Sequence, residues 1–270
     1  MQVCYNGTFM DASSPIFTAD NRGFRYGDGV FETARVANGV WLLANLHFER
    51  LLQGLHLLQI AYAEDLPNSI HHYVLELCRL NSCSASGRVR VGVFRGATGE
   101  AEYVIEATPM QPLSSSLVTQ GWAMDVYYGA LKACDAFSNL KSANYLPYVM
   151  AQRFALEKGL DECIVLNSRR FIADGAKTNL FVLHRNEVYT PPLSAGCVSG
   201  VMRKYVISRL RALGCIVKEE DLEVANVVQA AEVFTTNAIE GIRWVKSFGT
   251  AHYGNRWLEK MYVPILENVL

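Results

Sequence analysis

Two Asn-Gly dipeptides near the start of the chain, Asn6-Gly7 and Asn38-Gly39, constrain the fold more than any other feature. The first lies between Val3-Cys4-Tyr5 and Thr8-Phe9-Met10, the second between residues 33–36 and 40–43. Asn and Gly accept the two positive φ angles of a type I′ turn, whose twist matches that of paired strands, so each dipeptide predicts an antiparallel hairpin. A third hairpin is expected from residues 180–184 and 187–190. Strands joined by tight turns run antiparallel, so a purely parallel, doubly wound sheet is excluded. The expected class is α+β: two domains built on mixed or antiparallel sheets.

The rest of the chain fills in around these hairpins. Asn45 is placed to cap a helix carrying Leu51, Leu52, Leu55 and Leu58 at helical spacing, and a second helix is expected over residues 69–80. Arg88-Val89-Arg90-Val91-Gly92-Val93 alternates like a half-buried strand, with residues 103–107 as its neighbour. A Pro/Ser-rich stretch at 109–116 then suggests a linker. The expected division is a smaller N-terminal domain over 1–112, a linker over 113–120 and a larger domain over 121–270. Within the larger domain the pattern predicts helices at 146–158, 200–213 and 257–270, and strands at 162–166 and 232–235. A small-molecule site is expected at the domain interface.

Charge and cysteine usage exclude several classes. Lys and Arg total 25 against 26 Asp and Glu, with no basic block, which argues against a nucleic-acid partner. No apolar run is long enough for a membrane span, and the first residues do not read as a signal peptide. The seven cysteines are odd in number and form no CxxC pair, so no disulfide framework is expected and a cytoplasmic setting is. None of the six histidines makes an HxxxH pair, and no metal is assigned.

Several segments could carry chemistry. Lys141, in Ser138-Asn139-Leu140-Lys141-Ser142-Ala143-Asn144-Tyr145, lies among uncharged neighbours just before a predicted helix. A desolvated lysine forms imines with carbonyls, although a lysine at a helix entrance is more often a surface residue. Gly196-Cys197-Val198-Ser199-Gly200 feeds the helix that begins near Val201 and Met202, whose first N–H groups can bind an anion or simply be capped. Thr235-Thr236-Asn237-Ala238 could add donors to that anion, and Arg50 a fixed positive charge or an ordinary ion-paired surface. Asp174, beside the turn that leads to Asn179-Leu180-Phe181, is either an exposed turn residue or a buried carboxylate needing a partner such as a pyridinium nitrogen.

Taken in order, these segments resemble the fold-type IV pyridoxal 5'-phosphate (PLP) enzymes, the class IV aminotransferases. The resemblance rests on residues 26–33, His47-Phe48-Glu49-Arg50-Leu51, residues 140–146, 174–181, 189–192, 198–203 and 232–238. It implies a PLP cofactor held as a Schiff base on Lys141, which also carries the proton during turnover. It further implies that Arg50 and the backbone N–H groups of Val201 and Met202, helped by Asn237 and Ala238, bind the cofactor phosphate. Tyr145 would lie near the phenolic edge of the ring, and Asp174 would pair with the ring nitrogen. Tyr26 and Phe31 would line the substrate pocket, Arg95 would bind substrate carboxylate, and the chain would form a homodimer. Asp174 departs from the glutamate usual in the family, a side chain shorter by about 1.5 Å. Three functions follow: an aminotransferase acting between an amino acid and a 2-keto acid, a 4-amino-4-deoxychorismate lyase yielding 4-aminobenzoate and pyruvate, or a catalytically silent PLP-binding protein.

Overall fold

The computed structural model describes residues 1–267 and 269, which divide into two units. The first holds Met1–Pro112 together with the short segment Leu140–Asn144. In chain order it is built from β1 (Gln2–Tyr5), β2 (Thr8–Asp11), α1 (Arg22–Tyr26), β3 (Gly29–Ala37), β4 (Val40–Trp41), α2 (Ala44–Leu57), α3 (Leu66–Leu80), β5 (Ser86–Arg95) and β6 (Ala101–Pro109). The six strands form one antiparallel sheet in the order β2-β1-β6-β5-β3-β4. Both Asn-Gly hairpins are present: Asn6 and Gly7, and Asn38 and Gly39, all have positive φ.

Strand alternation sets the faces of this sheet. Val89, Val91 and Val93 of β5 and Val30, Ala34 and Val36 of β3 point into a core closed by Leu51 and Leu55 of α2 and Ile70, Val74 and Leu77 of α3. Two helix starts differ from expectation. Asn45 does not cap α2; Leu43 does, in the left-handed region, because the chain must reverse directly after the two-residue strand β4. The second helix, α3, begins at Leu66 rather than Ser69, because Pro67 fits the first turn, where no intrahelical N–H is needed. The segment Leu140–Asn144 joins the unit through β3: Val30 bridges Ser142, Phe31 N–H donates to the Lys141 carbonyl and Ala143 N–H donates to the Gly29 carbonyl. It does so at the N-terminal half of β3, which β4 does not reach, since β4 pairs only with Val36 and Ala37. Gly29 is required there: a Cβ would collide with the Val93 carbonyl oxygen.

The second unit comprises Leu113–Asn139 and Tyr145–Leu270. It runs through β7 (Trp122–Lys132), α4 (Leu146–Glu157), β8 (Glu162–Asn167), β9 (Ile172–Gly175), β10 (Asn179–His184), β11 (Glu187–Thr190), α5 (Val201–Ala212), β12 (Val217–Glu219), α6 (Val224–Val228), β13 (Glu232–Asn237), β14 (Gly241–Phe248), β15 (Ala251–His252) and α7 (Arg256–Leu266). Its sheet order is β12-β11-β10-β13-β14-β7-β8-β9, with β15 paired to β14. The sheet is mixed: β7 runs parallel to both β8 and β14, and β10 and β11 form the expected third hairpin. All six residues of β8 are buried, the mark of a strand covered on both faces. Cys163 and Val165 face Ala151 and Ala155 of α4, while Ile164 and Leu166 enter the opposite core with Met124 and Val126 of β7. The C-terminal helix expected over 257–270 is described as Arg256–Leu266; Asn268 and Leu270 lie outside the described residues.

Candidate active site

In the first unit, parity along β3 puts Glu32 on the same face as Val30 and Ala34, toward α2. A carboxylate there must be paired, and α2 supplies both partners from one helical face. His47 Nδ1 lies 2.6 Å from Glu32 Oε2, and Arg50 grips both carboxylate oxygens, Nε to Oε1 at 2.7 Å and Nη2 to Oε2 at 2.5 Å. Burial would push Glu32 up, but the Arg50 guanidinium and then His47 outweigh it and hold its pKa at about 2. The Arg50 guanidinium is oriented by a glutamate that spacing along the chain does not pair with it.

The opposite parity of β3 presents Phe31. Lys141 Nζ lies 4.6 Å from the centroid of its ring, and the Arg90 guanidinium carbon lies 4.0 Å from the same centroid. Lys141 is thus pinned by its backbone to β3 and set with its amine on an aromatic face. Tyr26, at the end of α1, is largely exposed, with Arg22 over its ring. Arg95 has other occupations than the one expected of it. Its Nε is 2.9 Å from Asp28 Oδ2, and its terminal nitrogens donate to the carbonyls of Gln59 at 2.8 Å and Leu58 at 2.7 Å. A substrate carboxylate would have to compete with Asp28, whose own carboxyl sits below its ordinary pKa: burial opposes the shift, and hydrogen bonds from Arg95 and Arg22 overcome it.

In the second unit, Asp174 pairs with Val165 across β9 and β8, so its side chain faces α4. It is buried, not an exposed turn residue. The Tyr148 hydroxyl donates to both of its oxygens at 3.0 and 2.9 Å, and Val198 N–H donates to Oδ2 at 2.8 Å. Lys132 Nζ stands 3.8 Å from the same oxygen and 4.9 Å from the Tyr148 ring centroid. Burial, then the Asp174 charge, raises Tyr148 well above the usual tyrosine value, so it stays a donor. Tyr145 stacks on Tyr148 with ring centroids 4.5 Å apart. The turn after Asp174 is held by buried Glu162, which accepts from the N–H groups of Ala176 and Lys177 and from the Thr178 hydroxyl.

The same unit contains a cradle for an anion. Helix α5 starts at Val201 after an extended Gly200, and the Gly200 cap brings no side chain to its first N–H groups. A Cβ on Gly200 would collide with Asn179 Oδ1, while Asn179 Nδ2 donates to the Val198 carbonyl at 3.0 Å. Asn179 pairs with Thr236 across β10 and β13, and the buried hydroxyls of Thr235 and Thr236 have no hydrogen-bond partner among the described residues. Asn237 Oδ1 accepts from the N–H groups of Ile239 and Glu240, which fixes its side chain at the end of β13. Uncapped helix donors, a glycine that admits close approach and the unpartnered Thr236 hydroxyl, on the Asn179 face of the sheet, suit a phosphate, whereas Thr235 lies on the opposite face with Leu180. Lys132 and Tyr148 beside Asp174 in the second unit, and separately Glu32 beside Arg50 in the first, make pairings that the segments alone do not reveal. The one signal for Glu32 is a charged residue at a core-facing position of an otherwise apolar strand.

With this geometry in view, comparison with known proteins is decisive. The family "Amino-transferase class IV" matches residues 29–248, and the chain belongs to it. Enzymes of this class are PLP-dependent. A putative branched-chain-amino-acid aminotransferase of Methanocaldococcus jannaschii is 29% identical over 248 residues, covering 87% of this chain and 84% of that one. An aminodeoxychorismate lyase of Bacillus subtilis is 27% identical over 269 residues, covering 94% and 89%. The solved branched-chain aminotransferase of the thermophilic archaeon Thermoproteus uzoniensis, with norvaline, superposes with a TM-score of 0.85 at 22% identity, over 100% of this chain and 96% of that chain, which shows a shared fold.

Proposed function

We propose that this class IV enzyme transfers an amino group between an amino acid and a 2-keto acid, with Lys141 as the residue that holds PLP covalently and moves the proton at the substrate carbon. The observation that carries the assignment is Asp174: a buried carboxylate held by two donors and a nearby lysine, where the family pattern calls for a partner to the cofactor ring nitrogen. PLP supplies an electron sink once its ring nitrogen is protonated; the residues of this chain bind, orient and shuttle protons. Arg50 binds the phosphate with its guanidinium orientation set by Glu32, and Val201, Met202, Asn237 and Ala238 add backbone donors. Lys141, set against Phe31, would be the base that carries the proton at the substrate carbon. Tyr145 stands at the phenolic edge, and Phe31 and Tyr26 line the substrate side. Arg95 is assigned to holding Asp28 and the Leu58–Gln59 backbone rather than to substrate.

A lyase acting on 4-amino-4-deoxychorismate is the second reading, supported by Met202 and Asn237-Ala238 and by similarity to the Bacillus subtilis lyase. We further propose a homodimer, in keeping with the exposed apolar residues Leu146, Val149 and Met150 on α4, and a cytoplasmic setting, in keeping with seven free cysteines. Among the described residues no helix is long and apolar enough to cross a membrane. The test is turnover by PLP-reconstituted protein on a panel of L- and D-amino acids with 2-oxoglutarate or pyruvate, beside aminodeoxychorismate. Release of 4-aminobenzoate without amino transfer would overturn the first reading in favour of the second.

A further inference from the structure

The carboxylate of Asp174 already has a cation. Lys132 comes from β7, buried with only 11% of its side chain exposed, and its Nζ makes no hydrogen bond among the described residues. It stands 3.8 Å from Asp174 Oδ2, beyond hydrogen-bond length, with the face of the Tyr148 ring beneath it. A buried carboxylate needs a counter-charge, and Lys132 neutralises this one before any cofactor arrives. Among the groups facing Asp174 are neutral donors and bystanders: the Tyr148 hydroxyl from α4, Tyr145 just before it, the Val198 N–H and the thiol of Cys197. Burial pushes Cys197 to about 12 and holds Tyr148 well above the usual tyrosine value, so at neutral pH neither adds a charge to the pair that Lys132 and Asp174 make.

Resting on the reading that Asp174 faces the cofactor ring nitrogen, we propose that Lys132 is a positioning residue that shares the Asp174 carboxylate and so weakens its hold on the ring nitrogen's proton. A protonated ring nitrogen at Asp174 is a second positive charge on one carboxylate. Lys132 opposes that proton, while the Tyr148 hydroxyl fixes the carboxylate and draws off part of its basicity. Proton affinity at the ring nitrogen is thus set by a residue that need not touch the ring.

The test is the nitrogen chemical shift of ring-15N-labelled PLP bound to the intact protein, followed against pH. A charge within about 4–6 Å shifts a neighbouring titration by about 1–3 pH units, so Lys132→Met should raise the ring nitrogen's titration by up to about that amount. Tyr148→Phe should raise it less, and Lys132→Arg, which keeps the charge, should leave it near wild type. Should Lys132→Met fail to bind cofactor, the Tyr148→Phe and Lys132→Arg values decide. The proposal is overturned if Lys132→Met titrates as wild type, if Lys132→Arg moves as far as Lys132→Met, or if Tyr148→Phe leaves the titration where it was. It is overturned as well if the wild-type ring nitrogen stays protonated throughout the pH range in which the protein is folded. Asp174→Asn separates the two levels: it should lower the titration, and an unchanged value there removes Asp174 as the ring partner whatever Lys132 does.

Discussion

Replacing Glu32 with Gln tests whether the charged cluster on α2 and β3 holds the first unit together as its geometry requires. Glu32 is buried, and its pKa falls from an ordinary 4.5 to about 2. At about 1.4 kcal/mol per pH unit, that difference is about 3 kcal/mol of stability. Its sign is fixed: a carboxyl whose folded pKa is depressed stabilises the protein above the unfolded value and loses that contribution as pH falls toward the folded one. The full amount is present at pH 7, and about 2 kcal/mol of it has gone by pH 3. Gln has no charge to lose, and it leaves the Arg50 guanidinium without its carboxylate partner. Glu32→Gln should therefore cost about 3 kcal/mol at neutral pH, rising toward about 5 if Arg50 stays buried. The gap between the proteins should narrow to about 1 kcal/mol near pH 3. Urea denaturation of cofactor-free protein at both pH values gives the comparison without stabilisation by bound PLP. A neutral-pH difference well under 1 kcal/mol, or one that does not shrink in acid, would refute the ion-pair account and leave the cluster as simple packing.

Three further outcomes are expected. Borohydride should fix PLP to the peptide containing Lys141, and Lys141→Ala should retain some PLP in the phosphate cradle yet lose turnover; an adduct mapped to another lysine refutes the assignment. Thr236→Val removes a buried hydroxyl that lacks a partner, so cofactor-free stability should hold or rise by about 1 kcal/mol while PLP affinity falls about tenfold to a hundredfold, read by thermal melts and PLP titration. Gly200→Ala drives a methyl group into Asn179 Oδ1, and should destabilise by about 1–3 kcal/mol with weaker PLP binding; a melting temperature and affinity both equal to wild type would show that the backbone yields there without cost.

What is legible in the sequence is local. Asn38-Gly39 specifies its hairpin because the turn chemistry needs nothing beyond the two residues, and both have the positive φ it demands. Strand β7 is invisible by comparison. It is paired on both sides, its registers with β14 and β8 are interrupted by bulges, and so no clean alternation survives in residues 122–132. The same distinction runs through the site. Lys141, Arg50 and Asp174 stand out by their segments, but Glu32 meets His47 from 15 residues away and Tyr148 meets Asp174 from 26, pairings that exist only once strand parity and helix face are known. Arg95 differs in kind: its expected substrate carboxylate comes from the resemblance alone, while the fold commits its donors to Asp28 and two carbonyls. Arg50→Ala would unpair Glu32 and so disturb folding as well as phosphate binding.

The membership of Leu140–Asn144 in the first unit has a consequence for how the protein is made. On the ribosome, a nascent chain that has emerged only as far as Pro112 has every named strand and helix of that unit but not the strip that lines the free half of β3. Until residue 144 follows, the backbone groups of Gly29 and Phe31 that the strip satisfies remain open to water or to a wrong strand. Completion of the unit that carries Lys141 is thereby delayed until part of the second unit has been synthesised. A gene cut between residues 112 and 113 would yield a first fragment without Lys141, so the first unit cannot be made whole from one uninterrupted stretch of chain.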